Sequence, residues 1–102
     1  MIDFSQGDII KIAGYKNCFL VISKNSYIKA TQTFHVCPIL SGIPEGPLHI
    51  AICGRLKEKG IAVCEQLKLI DPFVRACVKE DTLPYSMIMD ISDAVQGIFE
   101  YD

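Results

Sequence analysis

The sequence predicts an α+β domain, mainly β, in which a body of short strands is closed by one C-terminal amphipathic helix. Two observations carry this. Over roughly the first eighty residues, β-branched and aromatic residues recur in short runs between turn residues, as strands do on a pleated surface. Beyond them the period changes: Met87, Ile88, Ile91, Val95, Ile98 and Phe99 recur at helical steps and share one stripe. A sheet and a helix that must each bury one face give an α+β or small-barrel architecture. A chain of 102 residues holds core material for one domain and not for two, so a single domain over residues 1–102 is expected.

The first strand follows Gly7-Asp8 over residues 9–13 and stops at Gly14. The second, residues 18–23, is almost unbroken in apolar residues, as a central strand covered on both faces is. Lys24-Asn25-Ser26 reads as a polar turn before a long strand at residues 33–40. Pro38 has no N–H for a ladder, so it marks an edge, a bulge or the end of that strand. Residues 41–47 hold two Gly and two Pro and form the clearest loop. Residues 48–52 alternate, with Leu48, Ile50 and Ile52 on one face, and a further strand follows Gly60 over residues 61–64. Residues 66–70 continue it after a kink. Pro84 suits the first turn of the helix, with Thr82 or Leu83 near its cap. Gly97 weakens that helix by roughly 1 kcal/mol relative to alanine unless a neighbour packs closely there.

Half of the residues are apolar and 22% are charged, the balance of a folded domain. A net charge of −2 argues against holding nucleic acid by bulk electrostatics. The charge is unevenly spread: residues 1–60 carry seven Lys/Arg against four Asp/Glu, and residues 61–102 carry three against eight. Either a basic face opposes an acidic one, or these are ordinary solvated charges. Five cysteines, odd in number and without a C-x-x-C pair, read as free thiols; Cys18, Cys37, Cys53 and Cys64 lie within or beside apolar runs and read as small buried hydrophobes, against metal binding or nucleophilic catalysis. No metal site and no cofactor is implied. The N-terminus lacks a basic start and an apolar stretch, and no apolar run approaches the roughly 20 residues of a spanning helix. A soluble cytoplasmic protein without membrane contact is expected.

Four segments, in order, carry a resemblance that covers nearly the whole chain. Gly7-Asp8-Ile9-Ile10 is similar to the G-D-[IVL] first strand of the MazF/PemK toxin family, and Phe19-Leu20-Val21-Ile22-Ser23 resembles its apolar second strand ending in Ser. Val36-Cys37-Pro38-Ile39-Leu40-Ser41 resembles its V-x-P-[IL]-T-[ST] segment. The most specific block is the run from Gly60 to Asp71, GIAVCEQLKLID, similar to G-x-[AV]-x-x-[ED]-Q-[IV]-[RK]-x-[IV]-D. The resemblance implies an SH3-like barrel with a C-terminal helix, assembled as a homodimer. It also implies a growth-inhibiting toxin of a type II toxin–antitoxin system: a metal-independent, sequence-specific endoribonuclease whose RNA groove an antitoxin protein occupies. The alternative is an inert module of the same fold that binds an antitoxin-like peptide, or a protein target such as gyrase.

The resemblance also implies where chemistry belongs, and there the chain departs. The family usually places an Arg in an R-P pair before the second strand and a Thr two residues after the Pro of the third. Here those positions hold Asn17, followed by Cys18, and Leu40. Asn lacks the charge and the bidentate fork of Arg, and Leu has no hydroxyl. The Gly14-Tyr15-Lys16 connection is shorter than the family's loop over the substrate. Lys16 is a candidate replacement cation, or a solvated surface lysine. Ser41 is a candidate hydroxyl if Pro38 introduces a bulge, because a one-residue offset otherwise faces the opposite side, and it is then a turn residue. The candidate catalytic residues are therefore Lys16, Asn17 and Ser41.

His35 and His49 fall out of phase with their apolar neighbours. They are read as facing one side of adjacent strands, either as an acid–base pair or as the polar face of half-exposed strands. Arg55 with Lys57 and Lys59 makes a basic turn for phosphate or an acidic antitoxin segment, or a solvated hairpin. Arg75 is expected to pair with a nearby carboxylate. Tyr15, Phe19 and Tyr27 offer stacking surfaces to bases, although the aromatic–basic alternation of single-strand binders is absent. The candidate set for binding single-stranded RNA or an antitoxin is Tyr15, Lys16, His35, His49 and Arg55.

Overall fold

A computed structural model describes residues 2–102. Its elements run β1 (Asp8–Ile12), β2 (Cys18–Val21), α1 (Asn25–Thr31), β3 (Phe34–Leu40), β4 (His49–Cys53), β5 (Lys59–Val63), β6 (Lys68–Ile70), β7 (Cys77–Thr82) and α2 (Tyr85–Ile98). The strands pair antiparallel in the order β4-β5-β3-β2-β1-β7. β6 lies beside β3 as well: β5 covers its C-terminal end (Ile39 opposite Ala62) and β6 its N-terminal end (Phe34 opposite Ile70). A turn closed by the Gln66 N–H on the Val63 carbonyl (3.1 Å) separates the two, which is the kinked continuation that the sequence predicts. The sheet is not closed by a ladder, since β4 and β7 end the path.

Two cores explain the unbroken apolar run of β2. Cys18, Leu20 and Ile22 enter one cluster with Ile9, Cys37, Ile39, Ala62 and Cys64, which α2 covers through Met87, Ile88, Ile91, Ala94 and Val95. Phe19 and Val21 enter the other with Ile10, Ile12, Phe34 and Val36, which Ile28 of α1 and the N-terminal Ile2 and Phe4 cover. Each Val, Leu, Ile or Phe among them contributes about 1.5–3 kcal/mol on full burial. Gly7 has φ +90°, and any side chain there would collide with Ile88 of α2. The Gly-Asp pair therefore seats the helix, while the buried Asp8 carboxylate accepts the Ser5 N–H (2.9 Å) and meets Lys79 Nζ (3.3 Å).

Several expectations are corrected. Pro38 lies inside a central strand, with no bulge. The Ile22 N–H bonds to the His35 carbonyl (2.9 Å), so by alternation Phe19 and Pro38 form a non-hydrogen-bonded pair. The Pro38 nitrogen thus points away from β2, towards the side where β3 changes partner from β6 to β5. Lys24-Asn25-Ser26 begins helix α1 rather than a turn. That helix buries Ile28 alone, too little to leave a periodic signal, and ends at Gln32 in the left-handed region (φ 58°). β7 is exposed over Val78, Lys79 and Glu80 and gives no apolar run. Pro84 is the N-cap of α2 and not its first helical residue. The buried stripe of α2 stops at Val95: Ile98 and Phe99 reach solvent, and a Cβ at Gly97 would meet nothing within 4 Å beyond its own helix, so no close packing calls for the glycine. Of the cysteines, Cys18, Cys37 and Cys64 are buried, while Cys53 and Cys77 are half-buried. Among the described residues no helix is long and apolar enough to cross a membrane.

Candidate functional site

The β1–β2 connection, the end of β3 and the β4–β5 hairpin enclose a cleft of about 220 Å³. Cys18 and Ile39 form its buried floor, and Leu40 is half-buried in its wall. Its exposed rim carries Lys11 from β1, Lys16 and Asn17 from the connection, Ser41 just past β3, and Glu58 and Lys59 from the hairpin. All three candidate catalytic residues therefore meet here. Ser41 needs no bulge: β3 ends at Leu40, so strand alternation no longer dictates where it faces. Three ammonium groups face one carboxylate. The ion pairs among the described residues join Lys79 to Asp8 and His49 to Glu65, so none neutralises the rim.

The hairpin is held from β7. Asp81, only 2% exposed, accepts the Leu56 N–H (2.8 Å) and the Thr82 N–H (2.7 Å) on Oδ1 and the Glu58 N–H (3.0 Å) on Oδ2. Desolvation pushes this carboxyl up, but the three N–H donors outweigh it and hold it below the usual carboxylate range. A side chain at Gly54 would collide with the Asp81 carboxylate, which is why a glycine stands there. The Arg55 N–H bonds to the Thr82 carbonyl (2.9 Å), so the open ends of the sheet are bridged without a ladder. Inside the cleft, Cys18 Sγ lies 3.7 Å from Glu58 Oε1. Burial and the Glu58 charge push its thiol up, which disfavours the thiolate a nucleophile needs.

The other candidates lie outside the cleft. Tyr15 packs edge-on against Phe19, with ring centroids 5.1 Å apart. Lys68 Nζ and the Arg75 guanidinium stand 5.6 Å and 5.3 Å from its ring centre. Arg75 has no carboxylate partner among the described residues and bonds instead to the Ala13 carbonyl (3.3 Å). The histidines are not on adjacent strands, because β5 separates β4 from β3. His35 Nδ1 meets Ser23 Oγ (3.0 Å) and its ring lies against Tyr27. His49 Nε2 meets Glu65 Oε1 (2.7 Å), a bond that raises the imidazole pKa and lowers that of the carboxyl. Arg55 lies beside β7, in a separate depression lined by Leu56 and Lys79 to Thr82.

Sequence reasoning missed Lys11, Glu58 and Asp81. Lys11 was visible as the charged residue out of phase in an apolar strand, and Glu58 as the acid inside the basic hairpin. Asp81 follows Lys79-Glu80 in a polar stretch, and nothing local distinguishes it.

Residues 1–99 match the family of the PemK-like, MazF-like toxin of type II toxin-antitoxin system. The fold is similar to that of a chain in the MazE–MazF crystal structure (Form-II) from Deinococcus radiodurans, with TM-score 0.82 and 15% identity over 100% of both chains. An endoribonuclease from Mycobacterial species matches with TM-score 0.81 and 11% identity, over 95% of this chain and 91% of that one. An endoribonuclease in complex with its cognate antitoxin, also from Mycobacterial species, matches with TM-score 0.73 and 13% identity over 97% and 99%. At such identities these likenesses concern the fold. No curated protein matches. The match over residues 1–99 spans nearly the whole chain, and the protein belongs to the PemK-like, MazF-like toxins of type II toxin–antitoxin systems.

Proposed function

We propose that this toxin inhibits growth by cutting single-stranded RNA as a metal-independent, sequence-specific endoribonuclease, with the β1–β2/β4–β5 cleft as its phosphate site. The observation that carries this is the convergence of Lys11, Lys16 and Lys59 with the Asn17 amide and the Ser41 hydroxyl on one rim, free of ion pairs among the described residues. Cleavage through the 2′-OH builds negative charge on a phosphodiester, and fixed cations and hydrogen-bond donors stabilise that charge. Three lysine point charges and two polar side chains supply by number what the family's single Arg and Thr supply by shape. A local excess of cations also attracts a polyanion to a protein whose net charge is −2.

An antitoxin is the second partner in this reading, supported by the solved relatives that are held in antitoxin complexes. Exposed Leu69, Phe73, Val74 and Val78 provide apolar surface for a protein partner. A homodimer follows from the family likeness.

The resemblance itself supports a second reading, the inert binding module: Asn17 and Leu40 fall where the family-like segments would carry Arg and Thr. Incubation with a long unstructured RNA in EDTA, followed by mapping of the ends, separates the two. Sequence-restricted cuts with cyclic-phosphate ends are expected of the enzyme, and intact RNA across many sequences selects the module.

A further inference from the structure

We infer that Glu58 is the general base of this cleavage, an assignment that rests on the RNA-cleaving reading above. The 2′-OH needs a proton acceptor beside the bound phosphate. The lysine ammonium groups are donors only, and Asn17 and Ser41 are neutral polar groups. Among the described residues Glu58 is the one carboxylate lining the cleft, and it stands next to Lys59 in sequence.

Three features fit it for the task. Its side chain is uncommitted: among the described residues it meets only the Cys18 thiol, at 3.7 Å, and no ion pair engages it. Its backbone is fixed, because its N–H bonds to Asp81 Oδ2 (3.0 Å) and its carbonyl accepts the Gly54 N–H (2.8 Å). A base held in this way keeps its reach to the substrate although it sits on an exposed hairpin. Other candidate bases are elsewhere and occupied, His49 by Glu65 and His35 by Ser23.

In the step itself Glu58 takes the 2′-OH proton, the 2′-oxygen forms a bond to the adjacent phosphorus, and the bond from phosphorus to the 5′-oxygen breaks. Water protonates the departing 5′-oxygen, and Glu58 returns its proton to the hydroxide left behind. The products are a 2′,3′-cyclic phosphate and a 5′-OH.

The test compares wild type with Glu58→Gln on long unstructured RNA in EDTA, and measures binding of both to a 2′-O-methyl RNA that cannot react. The Gln variant is expected to cleave on the order of 100-fold more slowly or worse, with affinity for the inert RNA equal or tighter because a negative charge is gone. Cleavage by the variant at the wild-type rate overturns the assignment. So does a loss of RNA affinity as large as the loss of rate, which marks a positioning role. Wild-type protein that leaves RNA intact removes the proposed function itself, and this inference with it.

Discussion

Asp81 Oδ2 on β7 accepts the backbone N–H of Glu58 on the β4–β5 hairpin at 3.0 Å, and this bond ties the acidic member of the cleft to the far edge of the sheet. Two more N–H groups, of Leu56 and Thr82, converge on the same carboxylate. One buried side chain thus does two jobs: it bridges the ends of an unclosed sheet and fixes the wall on which Glu58 and Lys59 stand.

Replacing that group should be costly. Asp81→Ala leaves three N–H groups without their acceptor, and a loss of about 3 kcal/mol is expected, since hydrogen bonds to charged groups are the strong ones. In a domain of this size that lowers the thermal midpoint by more than about 10 °C, measured by circular dichroism. The folded carboxyl is depressed below its ordinary 3.8, so its contribution is complete above that pH and is lost as pH falls through the folded value. Asp81→Asn should accordingly weaken the acid dependence of unfolding. A melt unchanged in Asp81→Ala would refute the bridging role.

The cleft lysines should act on RNA as countable charges. Lys11→Ala, Lys16→Ala and Lys59→Ala are each expected to weaken binding of an inert single-stranded RNA and to reduce the salt slope by about 0.7 for each phosphate that the variant no longer neutralises. Lys29, on α1 and outside the cleft, serves as control, and its removal should leave the slope as it was. Equal effects at all four positions would mean diffuse attraction instead of a site.

His49 and Glu65 form an exposed pair with its own pH signature. The bond to Glu65 raises His49 above 6.5, and the reciprocal bond lowers Glu65 below 4.5. The sign follows from each shift. The Glu65 contribution is present above pH 4.5 and is lost as pH falls through the lowered value. The His49 contribution is present below pH 6.5 and is lost as pH rises through the raised value. NMR titration of the His49 ring should therefore give a midpoint above 6.5 that moves down in Glu65→Gln. A midpoint indifferent to that change would show that the pair does not persist in solution.

How much of this was legible in the chain depends on the kind of signal. The central strand β2 is legible as an unbroken apolar run because both of its faces are buried, and the closing helix because Met87, Ile88 and Ile91 repeat at helical steps. Helix α1 was not, because a seven-residue helix that buries only Ile28 has no period to show. Within the site, Lys16, Asn17 and Ser41 were found by their place in family-like segments. Lys11 and Glu58 join them only through pairing: the sheet sets β1 and β5 on either side of the β2–β3 pair, a relation no local window contains. The misplaced histidine pair failed for the same reason, since β5 enters the sheet between β3 and β4 although it follows both in sequence.

The central claim is that RNA binds at the cleft, and the most direct test is backbone NMR of the isotope-labelled protein titrated with a short 2′-O-methyl RNA. The account predicts that the largest amide shifts fall on Asn17, Ser41, Glu58 and Lys59, on three separate segments that meet only in the fold. Shifts concentrated on Phe73, Val74 and Val78 instead, or none at all at saturating RNA, would contradict it.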